Sequence, residues 1–484
     1  MDRIISFLAD FFNIGILVFG ITIFLSYIVL SYISMLALKK HLQKNSFQNT
    51  VPLLSSPHIP GISLIAPAYN EGKSIVENIR SLLSLHYATY EVIIVNDGSK
   101  DDSLQKMIEA YHLEKVVFAV NEQISSKKIR GIYKSVLPAF KKLIVVDKEN
   151  GGKADALNAG INVATYNYLT CIDVDCVLEQ DSLLKMIKPF LNNKKRVIAS
   201  GGVIRIANSC VIENGKLVEV KVPSSYIART QVIEYMRAFL IGRMAWSHLD
   251  GLLLISGAFG MFDKEIVIKC GGYNTKTVGE DMELVVRMRR YMHDNELIYK
   301  VSFIPDPLCW TEAPESFKIL GRQRNRWTRG TMETLWIHRK MMFNSKYGLL
   351  GFLSFPYWFL YEYLAPIVEF VGVFFFFIFA LLGMVNWPFF FLLLAFVYSF
   401  AIFFSMLSIF SEEFTFHQYT KKTDILKLVL TAFLEPVLFH PFIVSSSVQG
   451  NIDLIDGKKE WGEMTRTGFS KKKVVTNEPV PSPQ

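Results

Sequence analysis

Two aspartates at the end of an apolar run are the first candidates for chemistry. Residues 168–172 lead directly into Asp173 and Asp175. An ionised carboxylate is costly inside a buried strand, so we expect the pair at a strand end that faces a cleft. Mg²⁺ typically binds one or two carboxylates together with phosphate oxygens, so the pair suits a nucleotide diphosphate. The alternative is the ordinary turn chemistry that Asp favours at strand ends.

Two further polar clusters are expected at the same edge. Apolar strand candidates at 62–66, 91–96, 143–146 and 168–172 alternate with helical stretches at 71–85, 101–111 and 154–164. This alternation predicts an α/β domain with a mostly parallel sheet, which binds ligands beyond the carboxyl ends of its strands. Glu71 follows the first strand and Asp97 ends the second, so both join the aspartate pair. Three polar clusters on one edge favour a nucleotide cleft.

A glycine-containing loop precedes the third predicted helix. In residues 148–155, Gly151 and Gly152 would let backbone N–H groups approach an anion, and Lys153 would neutralise it. The alternative is a flexible turn with a helix cap. The small residues of 256–260 would similarly let a flat, hydroxylated ligand approach the backbone, or they form a tight packing turn.

Two acids open a helix predicted over residues 282–292. Glu280 and Asp281 could be partners of the helix dipole. Alternatively, a carboxylate fixed on a rigid helix end can act as a general base toward a hydroxyl. Before this helix, residues 210–220 surround an Asn-Gly pair, which predicts a β-hairpin.

A basic helix with aromatic anchors is predicted over residues 316–346, suited to a membrane surface. It contains Gln323, Arg326 and Trp327. A tryptophan between arginines offers a plane for stacking a sugar beside groups that bind phosphate. The alternative is a solvated charged face.

The composition indicates a membrane protein. Of 484 residues 51% are hydrophobic, and 38 are Phe. Four apolar runs are long enough to cross a bilayer, at 14–36, 361–384, 387–410 and 425–448, and residues 349–360 are expected to be interfacial or re-entrant. The net charge of +8 is assigned to membrane-side and phosphate-binding positions, so no nucleic-acid partner is expected.

Four ionisable residues lie within the C-terminal runs: Glu362, Glu369, Glu435 and His440. Ionisable groups at membrane depth usually face a protein or water-filled interior, so they either line a channel or lie near the headgroups at helix ends.

The basic residues set the expected orientation. Lys39, Lys40 and Lys44 follow the first run, which predicts an outside N-terminus and a cytoplasmic catalytic domain in a multi-pass protein of the cell membrane. Three further crossings leave the tail outside, whereas its basic residues favour the inside, and the sequence leaves this open. The expected division is a membrane helix at 1–37, a linker at 38–60, the α/β domain at 61–315, amphipathic helices at 316–348, a membrane region at 349–449 and a basic, partly disordered tail at 450–484.

The ordered set of motifs resembles one enzyme family. With Asp97, Asp173 and Asp175, Glu280-Asp281 and Gln323-x-x-Arg326-Trp327 in this order, the chain resembles the processive, membrane-embedded family 2 glycosyltransferases. These include the synthases of poly-N-acetylglucosamine, hyaluronan, chitin and cellulose. The resemblance covers about residues 62–327. Asn96 and Gly279 depart from it, since many members have Asp and Thr there.

The resemblance implies a GT-A-type nucleotide-sugar-binding domain and a role for each motif. For the nucleotide, Asp97 would recognise uracil with Glu71 and Lys153 nearby, and Asp173 would contact the nucleoside diphosphate. Asp175 would bind Mg²⁺ or Mn²⁺, and the diphosphate would be held by Gln323 and Arg326. For the acceptor, Asp281 would be the general base positioned by Glu280, and Trp327 would lie under the acceptor sugar.

The implied activity is a UDP-sugar-dependent hexosyltransferase. It would extend a β-linked polysaccharide with inversion, and the likeness favours N-acetylglucosamine. One alternative is a non-processive transferase acting on a lipid phosphate, and another is a transporter or scaffold with a degenerate nucleotide domain. The sequence does not identify an accessory subunit.

Overall fold

The computed structural model describes residues 2–46, 59–213 and 215–458. Residues 47–58 of the predicted linker, Asn214 of the predicted hairpin and the predicted tail from residue 459 onward lie outside the described residues. The chain begins with helix α1 (Asp2–Ser46), whose section Ile14–Gln43 is long and apolar enough to cross a membrane.

A mixed sheet forms the centre of the domain that follows. Its strands are β1 (Ile62–Ala68), β2 (Tyr90–Asp97), β3 (Leu113–Val116), β4 (Ile129–Ser135), β5 (Leu143–Lys148), β6 (Tyr168–Ile172), β7 (Val177–Leu178), β8 (Arg196–Ile206), β11 (Phe259–Asp263) and β12 (Tyr299–Thr311). Within the described residues, they are ordered β3-β4-β5-β2-β1-β6-β11-β8-β12-β7. The four strands β5, β2, β1 and β6 run parallel, as do β8 and β12. The predicted α/β fold class is confirmed, and the carboxyl ends of four adjacent strands share one edge.

Helices cover the sheet and bury its apolar faces. They are α2 (Ile75–Leu83), α3 (Ser103–Tyr111), α4 (Lys153–Val163), α5 (Ser182–Asn192), α6 (Tyr226–Met236), α7 (Met244–His248), α8 (Lys264–Lys269) and α9 (Glu280–Asp294). In α2, Ile75, Ile79 and Leu82 recur at helical spacing and are fully buried. Burying each such side chain contributes about 1.5–3 kcal/mol relative to leaving it exposed, so the apolar stripe fixes the helix against the sheet.

The predicted hairpin is present as β9 (Val211–Glu213) and β10 (Lys216–Glu219), which pair antiparallel. Gly215 lies at the turn with φ of +74°, a conformation that glycine adopts at little cost. Beyond the hairpin, a π-helical turn, Arg237–Arg243, joins α6 to α7, so the helical run continues through a wider turn.

The C-terminal part is helical. It contains α10 (Phe317–Ile337), α11 (Ala365–Leu381), α12 (Trp387–Thr415), α13 (Lys422–Leu438) and α14 (His440–Ile455). Among the described residues, three helical runs are long and apolar enough to cross a membrane: Ile14–Gln43, Leu350–Leu381 and Trp387–Thr415. The helices α13 and α14 pass the same test together and are bent by 49°, next to Pro436 and Pro441.

The segment 349–360 differs from the sequence prediction. We expected an interfacial or re-entrant segment, but it enters the same helical run as α11. Phe355, Tyr357 and Trp358 are buried and belong to the same hydrophobic core as the residues of the central sheet. Phe352 and Leu353 of the same segment are exposed, so protein covers only one side of it.

Candidate active site

One cavity of about 2260 Å³ lies beyond the carboxyl ends of the parallel strands. It is lined by every site residue that the sequence predicts: Glu71, Asp97, Lys153, Asp173, Asp175, Glu280, Asp281, Gln323, Arg326 and Trp327. The ends of β1, β2 and β6, the starts of α4 and α9, and helix α10 supply them. The fold therefore brings the predicted set together, while the role of each residue stays a prediction.

Asp97 is fixed at the end of β2 by a buried cation and by backbone N–H groups. Its carboxylate accepts hydrogen bonds from Lys148 Nζ at 2.6 Å, from Gly151 N–H at 3.0 Å and from Gly152 N–H at 2.8 Å. Asn150 Nδ2 donates to the same carboxylate at 3.2 Å. Gly152 has a φ of +85°, which favours glycine. Asp97 therefore holds the 150–152 loop in place at the cavity wall.

Lys148 is a site residue that the sequence patterns did not indicate. It is fully buried at the end of β5, and it also pairs with Asp155 at 2.5 Å. A lysine close behind the apolar run 143–146 was the available signal, because a buried ammonium requires anionic partners. Its partner Asp97 lies 51 residues away in the sequence, so only the parallel pairing of β2 with β5 joins them.

Lys153, the first residue of α4, places a positive charge beside the aspartate pair. Its ammonium forms an ion pair with Asp173, and Glu280 Oε1 lies 3.9 Å from Nζ. Burial favours the neutral amine, but the carboxylates of Asp173 and Glu280 outweigh it and raise the pKa of Lys153 above its ordinary value. Lys153 therefore stays protonated at neutral pH, and it can bind an anionic diphosphate.

Asp281 is held on both oxygens at the start of α9. Its Oδ2 accepts from Gly257 N–H at 2.9 Å, and its Oδ1 accepts from Met282 N–H at 2.8 Å. The adjacent Glu280 is buried, and burial raises the pKa of its carboxyl; Lys153 opposes this shift and Asp281 adds to it. Small residues at 256–260 thus let the backbone approach Asp281 closely.

Two glycines bring the helices of Asp281 and Trp327 together. A Cβ added to Gly279 would lie 2.7 Å from Gly330 Cα. The backbone at the start of α9 therefore contacts the backbone in the middle of α10. Gly279 is one of the two departures from the family pattern. The departure permits close contact between the two helices, so Asp281 and Trp327 reach the same cavity.

Trp327 presents a partly exposed indole to the cavity, with 38% of its surface accessible. The Arg324 guanidinium lies over the ring, 4.2 Å from its centroid, and donates a 2.6 Å hydrogen bond to Glu234 Oε2. Arg324 therefore covers one face of the indole, and it lines the cavity together with Gln323 and Arg326.

The aspartate pair fits a divalent cation that substrate helps to bind. Asp175 is buried, Asp173 is partly exposed, and both line the cavity. Within the part of the chain that the structure describes, no group of three or more His, Cys, Asp or Glu side chains is placed to hold a metal ion. Mg²⁺ commonly takes one or two carboxylates and completes its shell with water and phosphate oxygens, which matches this donor set.

The cavity continues between the apolar C-terminal helices. Glu362, Glu369, Glu435 and His440 all line it, as one of the two sequence alternatives expected. Glu435 accepts a 2.8 Å hydrogen bond from Arg237 Nη1, and His440 Nε2 lies 2.7 Å from Glu369 Oε2. The candidate site and the apolar C-terminal helices therefore share one space.

Comparison with protein families decides the membership of this chain. The family described as "Glycosyl transferase family 2" matches residues 63–135, and "Glycosyltransferase like family 2" matches residues 137–330. The two matches together cover more than half of the 484 residues. The chain belongs to glycosyltransferase family 2. The matched ranges contain all ten predicted site residues, so the candidate site lies within the part of the chain that matches the family.

Relatives of this glycosyltransferase include two named polysaccharide synthases. It is 32% identical over 292 residues to a poly-beta-1,6-N-acetyl-D-glucosamine synthase of Staphylococcus epidermidis, covering 59% of each chain. The synthase of that name from Staphylococcus aureus strain COL is 30% identical over 290 residues, which cover 59% of this chain and 58% of the relative. The matched part thus spans about three fifths of the length of these curated relatives.

A solved structure is also similar to the glycosyltransferase. It is a mannosyltransferase from Pyrobaculum calidifontis in complex with GDP-Man and Mn²⁺. The similarity covers 89% of this chain and 100% of that one, with a TM-score of 0.49 and 15% sequence identity.

Proposed function

We propose that the protein is a processive, inverting glycosyltransferase that adds N-acetylglucosamine from UDP-N-acetylglucosamine to a growing β-1,6-linked polysaccharide. The observation that carries this proposal is the cavity, in which the predicted nucleotide, base and acceptor residues share one space that continues between the membrane helices. The sugar and the linkage follow the names of the staphylococcal relatives.

The nucleotide would bind at the carboxyl edge of the parallel strands. UDP would lie against the 150–152 loop that Asp97 holds, with uracil near Asp97 and Glu71. The protonated Lys153 and the Arg326 guanidinium would meet the diphosphate, since charge-assisted hydrogen bonds to phosphate oxygens are strong.

The aspartate pair would hold a divalent cation, which would balance the charge of the diphosphate. Asp175 would hold Mg²⁺ or Mn²⁺, while Asp173 would contact the nucleoside diphosphate. When bound, the ion neutralises negative charge that develops on the departing UDP. Lys153, already paired with Asp173, adds a fixed positive charge that offsets part of the same negative charge.

Asp281 would act as the general base toward the acceptor hydroxyl. The hydroxyl oxygen attacks the anomeric carbon, its proton passes to the Asp281 carboxylate, and the bond from the anomeric carbon to UDP breaks. Attack opposite the leaving group converts an α-linked donor into a β-linked product. The N–H groups of Gly257 and Met282 orient the carboxylate, Glu280 positions the helix start, and Trp327 supplies the plane for the acceptor sugar.

The membrane helices would give the product a path. A polar polysaccharide cannot pass through hydrocarbon unaided, and the cavity continues between helices α11 and α12 with Glu362 and Glu369 in its wall. We place the catalytic domain on the cytoplasmic side because Lys39 and Lys40 follow the first apolar run.

The test is a donor screen with analysis of the product. Purified full-length protein in nanodiscs is incubated with UDP-N-acetylglucosamine, UDP-glucose or UDP-glucuronic acid and Mg²⁺ or Mn²⁺. We expect UDP release with the first donor and a β-1,6-linked polymer. A monosaccharide attached to lipid would instead favour the non-processive alternative. If wild type releases no UDP with any donor and does not differ from the Asp281→Asn variant, the proposal is wrong.

A further inference from the structure

Glu333 lies on α10 six residues beyond Trp327, outside the cavity. Its carboxylate contacts the segment that leads into α9. Glu333 Oε2 accepts a hydrogen bond from Thr277 Oγ1 at 2.6 Å and another from Val278 N–H at 2.9 Å. Hydrogen bonds to an ionised carboxylate are about twice as strong as those between neutral groups. Glu333 therefore ties the residues before α9 to α10.

The same chain of hydrogen bonds reaches the residue before the two acids. Thr277 is buried, and its Oγ1 accepts from Gly279 N–H at 3.1 Å while it donates to Glu333. Gly279 occupies the N-cap position of α9, where a side-chain oxygen commonly fixes the start of a helix. Glycine has no such oxygen, so Thr277 and Glu333 instead hold the residues that precede Glu280-Asp281.

A second polar contact joins α9 to the end of α10. Glu283, in the first turn of α9, has its Oε1 3.1 Å from Nε2 of His338, which follows the last residue of α10. Both side chains are buried, and Arg287 Nη2 donates to Glu283 Oε2 at 2.7 Å. The start of α9 is therefore attached to α10 on both sides of the contact between Gly279 and Gly330.

Helix α10 is also held in place by other elements. Arg324 donates to Glu234 of α6 at 2.6 Å, and Asn325 Nδ2 donates to Asp453 of α14 at 2.7 Å. Loss of the Glu333 contact would therefore displace the start of α9 and leave α10 in its position.

This difference decides which part of the reaction depends on Glu333. Asp281 lies in the first turn of α9, whereas Trp327 and Arg326, which we propose to bind the diphosphate, lie on α10. A displaced α9 would move the proposed base relative to the acceptor sugar, while Arg326 would keep its place beside the donor.

We propose that Glu333 is a positioning residue for sugar transfer, which acts through Thr277 and Val278 to hold Asp281 within reach of an acceptor on Trp327. The inference rests on the proposed function, because it presupposes that Asp281 takes the proton of the acceptor hydroxyl. Glu333 itself touches neither the donor nor the acceptor, and its effect is confined to the geometry of the base.

The test compares turnover in matched variants of the full-length protein in nanodiscs. Glu333→Ala should lower kcat about 10²-fold, the loss expected for a displacement of about 1 Å, while KM for UDP-N-acetylglucosamine stays at the wild-type value. Thr277→Val keeps the Val278 contact and should fall between wild type and Glu333→Ala. Glu333→Gln and Thr277→Ser should retain most of the activity, because each keeps the oxygen that the contact uses.

Thr334→Val is the matched control. Thr334 is also buried, and its Oγ1 donates to the Gly330 carbonyl within α10 at 2.8 Å. This variant loses a buried hydroxyl, as Thr277→Val does, so the two should lower the melting temperature by similar amounts, but the control should keep wild-type kcat. Equal losses of kcat in the two threonine variants, or wild-type kcat in Glu333→Ala, would overturn the proposal.

Hydrogen exchange of the backbone amides at 277–283 separates this inference from the proposed function, because it needs no turnover. Glu333→Ala should speed exchange at Val278 and Gly279, and Thr334→Val should not. Unchanged exchange in Glu333→Ala would overturn the attachment even in an active enzyme. If exchange changes as expected but wild type turns over no donor, the attachment stands, and the positioning role fails together with the proposed transferase activity.

Discussion

Gly279 and Gly330 touch backbone to backbone, and this contact joins the helix that begins with Glu280-Asp281 to the helix that carries Trp327. An added Cβ on either residue would lie 2.7 Å from the Cα of the other. Both positions lack a side chain, and they are 51 residues apart in the sequence. The position of the proposed base relative to Trp327 therefore depends on glycine at both positions.

Gly279→Thr should separate these helices. The new side chain would meet backbone, which cannot move aside cheaply, so we expect a loss of about 1–3 kcal/mol in stability. A displacement of about 1 Å at the site can reduce the rate by about 10²-fold. Melting temperature and UDP release check both effects. Gly15→Ala, where an added Cβ meets nothing within 4 Å, is the control. Wild-type values for Gly279→Thr would contradict the role of the contact.

Lys148→Met should damage the nucleotide side of the site. The variant leaves the buried carboxylates of Asp97 and Asp155 without their cation, and breaking such a pair typically costs about 3–5 kcal/mol. We expect a lower melting temperature and weaker UDP binding, because the 150–152 loop loses its support. Lys269→Met removes a lysine whose pair with Glu265 is exposed, so it should have little effect. Equal effects of the two substitutions would show that the buried cation is dispensable.

Asp281→Asn should abolish transfer and preserve nucleotide binding. The amide keeps the shape of the side chain but cannot accept the hydroxyl proton, and removal of a general base lowers the rate by about 10²–10⁴-fold. UDP release and UDP affinity are measured together. Asp294→Asn, at the other end of the same helix and outside the cavity, should retain activity. A fully active Asp281→Asn variant would assign the base to another residue.

Glu280→Gln should change how stability depends on pH. The folded protein raises the pKa of Glu280 above its ordinary 4.5, chiefly through burial, so the native state binds this proton more tightly than the unfolded chain. The stabilisation from Glu280 is therefore complete below pH 4.5 and declines as pH rises through the raised pKa. Relative to wild type, the variant should gain in melting temperature as the pH rises from 4.5 through the raised pKa. A difference that stays constant or shrinks over this range would contradict the shift.

Local patterns in the sequence were sufficient for the parallel centre of the sheet and for the residues at its edge. Asp97, Asp173 and Asp175 follow apolar strands, and such strands have few ways to pair when helices alternate with them. Glu280 and Asp281 were recognisable as a helix start. In each case the signal lies within a few residues of the side chain concerned.

Other features depend on contacts between distant segments. Lys148 acquires its role from Asp97 across two paired strands, and Gly279 acquires its role from a helix about fifty residues away. The strands β11 and β12 were not predicted, because short or irregular strands beside a cleft lack a clear alternation of apolar residues. Residues 349–360 were predicted to be interfacial or re-entrant, because an apolar segment alone does not distinguish lipid from protein as its partner.

The central claim is that the ten predicted residues act as one site, with the nucleotide at the strand edge and the acceptor on Trp327. The most direct measurement is an experimental structure of the full-length protein with UDP, Mn²⁺ and a β-1,6-linked N-acetylglucosamine oligosaccharide. The account predicts the diphosphate between Lys153 and Arg326, the ion on Asp175, and the end of the oligosaccharide on the Trp327 indole with a hydroxyl directed at Asp281. A nucleotide bound away from the aspartate pair, or an oligosaccharide bound outside the cavity, would contradict it.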